Sequence, residues 1–215
     1  MTLPSRPYSM RFRGAEYLDL NIKDIGSQYT WEFWFKTNNP THMSIGGSVS
    51  NMVFRTDVHY QHEGNTVFYH NTGDSDNSIR VYTDSMGFAD NRWRKVIYRY
   101  DNMSSNLWID GELIETSQRG NVPQHTLFDE PIYLGALNYQ GTPMYHFDGH
   151  IAYPAFWYSA RDVSDIESNW NKMSDADVLW TFTEGEGNTA TSNNNIVANI
   201  NGDNMWSTDL PEITP

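Results

Sequence analysis

The alternation of apolar and polar positions reads as strands along most of the chain. In Tyr29–Lys36, Trp31, Phe33 and Phe35 fall two apart and share one face, while Glu32, Trp34 and Lys36 share the other. Trp34 interrupts the polar side, so this strand is expected to be covered on both faces. Arg94–Tyr100 is a second run of this kind. Residues 106–109 and 112–114 are apolar runs joined by Asp110-Gly111. That pair suits a type I′ hairpin turn, whose two central residues both need positive φ. Further strands are predicted at 9–12, 17–20, 51–55, 66–70, 78–83, 132–134, 149–158 and 178–183. Turn residues separate them at intervals of about ten residues, the spacing of a sandwich. One helix is predicted over 163–171. Asp162 can cap its first turn, Asp165 can act on the same backbone donors, and Val163, Ile166 and Trp170 form one apolar stripe for packing on a sheet edge. The stretch 188–204 is rich in Asn, yet Ile196, Val197 and Ile200 lie within it and Met205 just beyond, which reads as polar turns around one or two strands.

Composition narrows the function classes. The chain has 215 residues, with 14 Lys and Arg against 27 Asp and Glu, a net charge of −13. That balance argues against a nucleic-acid backbone, which needs clustered cations, and against docking on anionic lipid. With no cysteine there is no disulfide framework, thiolate nucleophile or thiolate zinc site. Residues 1–14 contain no apolar core, so no signal peptide is expected, and no run approaches the roughly 20 apolar residues that span a bilayer. Apolar content of 38%, with 14% of residues aromatic, is too high for a disordered chain and suits sheets.

Six segments, in order, carry a resemblance. They are residues 8–14 with 17–20, then Tyr29 to Thr37 with Glu32 and Trp34, then Arg92-Trp93-Arg94-Lys95-Val96 with Leu107-Trp108-Ile109-Asp110-Gly111. Phe147-Asp148-Gly149-His150-Ile151 with Phe156-Trp157-Tyr158-Ser159-Ala160 and Ile166, then Leu179-Trp180-Thr181-Phe182-Thr183-Glu184-Gly185-Glu186-Gly187, and finally Trp206 complete the set. This order resembles the concanavalin A-like jelly roll, in its laminin-G and pentraxin-like branch. The resemblance implies an all-β, two-sheet antiparallel jelly-roll sandwich with one short helix, a single laminin-G-like domain over 1–215. It does not imply one function, because this fold hosts lectins, adhesion modules, glucanases and structural virion proteins. Two departures stand out. The glucanase branch's Glu-x-Asp-x-x-Glu strand is missing, and the acidic residue that many relatives use for calcium after the Glu184-Gly185-Glu186-Gly187 element is replaced by the carboxylate-free run 188–193.

Candidate chemistry is sparse. Asp74, Asp76 and Asn77 offer hard oxygen ligands at close spacing and could take calcium, although the same residues favour a solvated hairpin turn. Tyr139, Tyr145 and His146 carry rings suited to stacking on a sugar, with Asn138 and Asp148 as hydrogen-bonding partners. The alternative is a plain surface loop at 139–143, with Trp157 in the core. Glu184 and Glu186 are carboxylates close together, but Glu184 matches what the resemblance implies is a structural turn position. The seven His residues are scattered, without an acidic third ligand at zinc spacing, and no Gly-x-Ser-x-Gly elbow occurs. The expectation is a non-catalytic protein with no cofactor or only calcium. The leading reading is a virion component, made in the host cytoplasm and placed on a capsid, tail or fibre. Its partners would be other virion proteins, further copies of itself or surface glycans, without nucleic-acid binding or membrane insertion. The alternative is a carbohydrate-binding lectin or adhesion module in its own right. A glycoside hydrolase or lyase ranks third.

Overall fold

The computed structural model describes residues 7–62, 65–73, 78–83, 87–101, 104–118, 126–170 and 173–212. Two sheets face one another. The first runs in the order Glu112–Gln118, Ser104–Ile109, Arg94–Tyr100, Tyr29–Lys36, Asp148–Trp157, Ser9–Arg13, Trp206–Ser207, with Val178–Leu179 beside Asp148–Trp157. The second runs Thr189–Thr191, Val197–Asn201, Tyr17–Asp19, Tyr133–Leu134, Met43–Val49, Val53–His62, Asn65–Gly73, Ser78–Tyr82. Neighbours along both paths are antiparallel. A hairpin, Leu137–Tyr139 with Thr142–Met144, joins the second sheet through a parallel contact with Met43–Val49. The architecture is the expected jelly-roll sandwich.

The core follows from the two-residue period. Trp31, Phe33 and Phe35 point inward with Tyr98, Phe156 and Ile151, and meet Phe54, Phe68 and Val58 of the second sheet. Trp31 stacks on Phe156 with ring centroids 4.1 Å apart and meets Phe54 edge-on at 6.0 Å. Each such buried side chain contributes about 1.5–3 kcal/mol. His70 is sealed in this core between Tyr29, Thr56 and Tyr98, and burial holds its pKa well below the usual 6.5.

All eight residues of Tyr29–Lys36 are buried, as Trp34 foretold. The outer face of the first sheet carries a third layer, in which Trp34, Tyr153, Trp157 and Leu179 pack under Trp170, Met173 and Leu210. Glu32 is fully buried there and is ion-paired with Lys95 and, at 3.1 Å, with Arg161. Arg161 also lies over the Trp157 ring and bridges to Asp165 at 2.9 Å.

The helix is shorter than predicted, Val163–Ser168. Asp162 caps it by accepting from the Ser164 N–H at 2.8 Å, whereas Asp165 turns to Arg161 and Asn169. The Asp110-Gly111 turn has φ of 53° and 85°, positive at both residues as required. Several strands depart from expectation, among them Asp24–Gly26 with Thr126–Leu127, which were not predicted, and Val53–His62, which runs past 51–55. Met43–Val49 is a strand despite Gly46-Gly47, which hide its alternation. Residues 137–144 form a hairpin where a surface loop was expected. The strand predicted at 178–183 shrinks to Val178–Leu179: the Trp180 N–H still reaches the Pro154 carbonyl, and the chain then turns away, with Phe182 at φ 52°. The Asn-rich stretch holds the two strands Thr189–Thr191 and Val197–Asn201.

Candidate functional site

The outer face of the second sheet has no third layer among the described residues. Cross-strand register places Arg55 opposite Asn71, and Asn71 opposite Arg80. The next outward row is Asp57, Tyr69 and Tyr82. Strand alternation alone would then put His59 outward. A bulge between Asp57 and Tyr60, with His59 at φ 56°, inserts one extra residue. Tyr60 therefore returns to the outer face beside Asp57 and Tyr69, whose ring it stacks on at 4.5 Å.

Two further segments complete a cluster. Asn39 accepts from the Thr41 N–H and hydroxyl, a local turn that delivers His42 to the start of Met43–Val49. The Gln140-Gly141 turn reverses the hairpin, and the Ser44 N–H then donates to the Tyr145 carbonyl at 2.7 Å, which pins Tyr145 beside His42. The hairpin can lie this close because Gly47 has no side chain. A Cβ there would stand 2.3 Å from the Phe54 carbonyl and 2.9 Å from the Leu137 side chain.

At the centre is Arg55. Its Nε donates to Asp57 Oδ2 at 2.6 Å, and its guanidinium lies 4.9 Å from the Tyr145 ring centre and 5.7 Å from that of Tyr60. His42 Nε2 is 3.0 Å from the same Asp57 oxygen, and its ring sits 4.7 Å from Tyr145 and 5.2 Å from Tyr60. Asp57 is 0% exposed, and its other oxygen has no hydrogen-bond partner. The Asn71 Oδ1 is likewise buried and unpartnered. A buried carboxylate thus fixes a cation and a histidine between two tyrosine rings, of which Tyr145 is 42% exposed. Burial raises the Tyr69 hydroxyl to a pKa of about 12, partly offset by Arg80. Such a face can stack a ligand ring and donate hydrogen bonds from a preset guanidinium.

The residues singled out from sequence divide. Tyr145 belongs to the cluster. Tyr139 is 45% exposed on the hairpin. Asn138 corrects the expectation of an outward polar contact, because it is fully buried, donates to the Pro131 carbonyl and accepts from the Gly141 N–H, both at 2.8 Å. It shapes the hairpin turn and, being fully buried, presents no group to a ligand. His146 sits apart, near the Tyr17 ring at 6.3 Å. Asp148 lies on the first sheet, bound by Arg11 at 2.8 Å and by Asn39. Asp74, Asp76 and Asn77, the calcium candidates, lie outside the described residues. Glu184 accepts from the Thr191 N–H at 2.7 Å, a structural contact as its turn position suggested. No group of three potential metal ligands occurs among the described residues. Arg55, Asp57, Tyr60 and Tyr69 were missed. The Arg55–Asp57 spacing was a readable signal, and the bulge that brings Tyr60 round was not.

The fold is a two-sheet antiparallel β-sandwich with a ring-lined cluster on the outer face of one sheet. A family model described as the concanavalin A-like lectin/glucanases superfamily, of laminin G type, matches residues 12–167, and the chain belongs to that superfamily. No curated protein matches it in sequence. Among solved structures it is similar to a Bacteroides ovatus protein named as a candidate carbohydrate binding protein, with TM-score 0.69 and 17% identity over 93% of this chain. The chain spans 59% of that protein's length. It is also similar to the heptameric SAP-like pentraxin of Limulus polyphemus, with TM-score 0.61, 10% identity, and coverage of 96% of this chain and 100% of that one. The CBM40 of the Ruminococcus gnavus IT-sialidase gives TM-score 0.60 and 16% identity over 78% of this chain and 98% of that one. At such identities the likeness is one of fold. None of the three is, by its description, a virion component.

Proposed function

We propose that the protein is a non-catalytic, glycan-binding module that holds its ligand on the outer face of the second sheet, over Arg55 and against Tyr145 and Tyr60. One observation carries this reading. Asp57 is buried and fixes Arg55 and His42 beside two tyrosine rings, one of them the exposed Tyr145, on a face that has no third layer among the described residues. Apolar rings with a few oriented polar groups are the usual make-up of a sugar site. The carbohydrate-binding descriptions of two structural neighbours support the same class. Binding is favoured over hydrolysis because Asp57 is sealed beneath Arg55, whereas retaining hydrolysis needs two accessible carboxylates about 5 Å apart.

A glycan array followed by calorimetry on the strongest binder tests this. Tyr145→Ala is expected to weaken binding about tenfold, the loss of roughly 1.4 kcal/mol of ring contact. Tyr158→Ala, an exposed tyrosine on the first sheet's side, is expected to leave affinity unchanged. An array without reproducible binders, or binding indifferent to Tyr145, would overturn the proposal.

A further inference from the structure

We infer that the glycan taken by this face is acidic, with its carboxylate or sulfate group read by Arg55 and Arg80. This rests on the glycan-binding reading above and adds the ligand's chemical class. The chain carries −13, so an anion is repelled by the molecule at large. The second sheet's outer face runs against that trend. Arg55, Asn71 and Arg80 stand opposite one another on three adjacent strands. Two strand spacings separate the arginine positions by about 9.5 Å. Arg80 is exposed and makes no ion pair with a described residue. Against the raising effects of burial, Tyr60 and Asp57, Arg80 and, more weakly, Arg55 both act to lower the Tyr69 hydroxyl's pKa.

The one anion does not cancel this. Asp57 is fully buried and engages Arg55 through Nε, the inner edge of the guanidinium. Nη2 lies 3.3 Å from His42 Nε2, and Nη1 makes no hydrogen bond to a described residue, so Nη1 is the donor left for an incoming oxyanion. A carboxylate that holds an arginine from beneath sets the direction of its remaining N–H groups, and oriented guanidinium donors favour planar anions. Asp57 is a positioning residue, Arg55 and Arg80 would touch the ligand, and Tyr145 and Tyr60 would take the ring.

Oligogalacturonate and its methyl ester present the same sugar with and without charge. Carrageenan oligosaccharides before and after desulfation do the same for sulfate. Titration of the full chain with all four is expected to show the charged member of at least one pair binding about tenfold or more tightly than its neutral partner, with affinity falling between about 0.05 M and about 0.5 M salt. Which pair responds distinguishes carboxylate from sulfate. Arg80→Gln, at an exposed site where folding is not at risk, is expected to lower affinity for the charged member several-fold and to flatten the salt dependence. Asp57→Asn is expected to lower that affinity while Tyr145 stays required, with thermal unfolding checking that the variant is folded. Equal binding of charged and neutral partners, or affinity indifferent to Arg80 and to salt, would overturn the acidic-ligand inference. If neutral glycans then bind in a Tyr145-dependent manner, the glycan-binding reading survives and only the inference fails. If no glycan binds at all, both fail.

Discussion

Single residues in this molecule do work that depends on what surrounds them. His150 is the clearest case. Burial pushes its pKa down to about 4, against the opposing pull of Asp209. The unfolded chain takes a proton near pH 6.5 that the folded chain refuses until about pH 4. His150 therefore contributes stability above pH 6.5, and that contribution is lost as pH falls through this window. The slope is at most about 1.4 kcal/mol per pH unit. Urea unfolding at a series of pH values is expected to show this loss, with His70, also depressed by burial, adding to it. His150→Gln should flatten the slope by about one proton. An unchanged slope would mean that His150 titrates alike in both states.

At the scale of elements, ring-bearing strands were legible and glycine-bearing ones were not. Tyr29–Lys36 and Arg94–Tyr100 announce themselves because large side chains every second residue have no other compact packing. Met43–Val49 has the same backbone role, but Gly46 and Gly47 sit where the hairpin and its neighbours crowd in, so the alternation is erased by the contact that the strand makes. Gly47→Ala is accordingly expected to cost about 1–3 kcal/mol of overpacking, to lift the hairpin with Tyr145, and to weaken ligand binding. Gly141 has φ of 85° and open space, with no atom within 4 Å of where a Cβ would stand. As Ala it should cost only the left-handed strain of about 1–2 kcal/mol, measured by the same denaturant titration. Equal stability of Gly47→Ala and the parent would show that the hairpin is not seated as described. The candidate cluster was half legible. Arg55 and Asp57 share a face by simple alternation, and Tyr145 was noted for its ring. Tyr60 reached them through an inserted residue, and His42 through a turn and a distant strand, which no local pattern encodes. Asn138 misled because an Asn beside a surface tyrosine reads as a contact, although its amide is consumed by the turn it builds.

Across the whole molecule the two outer faces differ in kind. The first sheet is covered by the short helix, by Trp170 and Met173, and by Leu210 near the end of the described chain. Arg161 ties that cover down by joining the buried Glu32 to Asp165 on the helix. Arg161→Ala leaves Glu32 sealed with one cation fewer, and a loss of about 3–5 kcal/mol is expected in urea unfolding. Recovery of full stability in that variant would mean that Lys95 alone satisfies Glu32.

The chain's first and last described segments meet on the covered side. Ser9–Arg13 pairs with Trp206–Ser207, and beyond them Asp209 engages Lys36 and Trp93 on the padded surface. A support that gripped this padded surface would hold the sandwich by its back. The tyrosine-and-arginine side, on the other sheet, would then look outward, like a palm presented from the wrist.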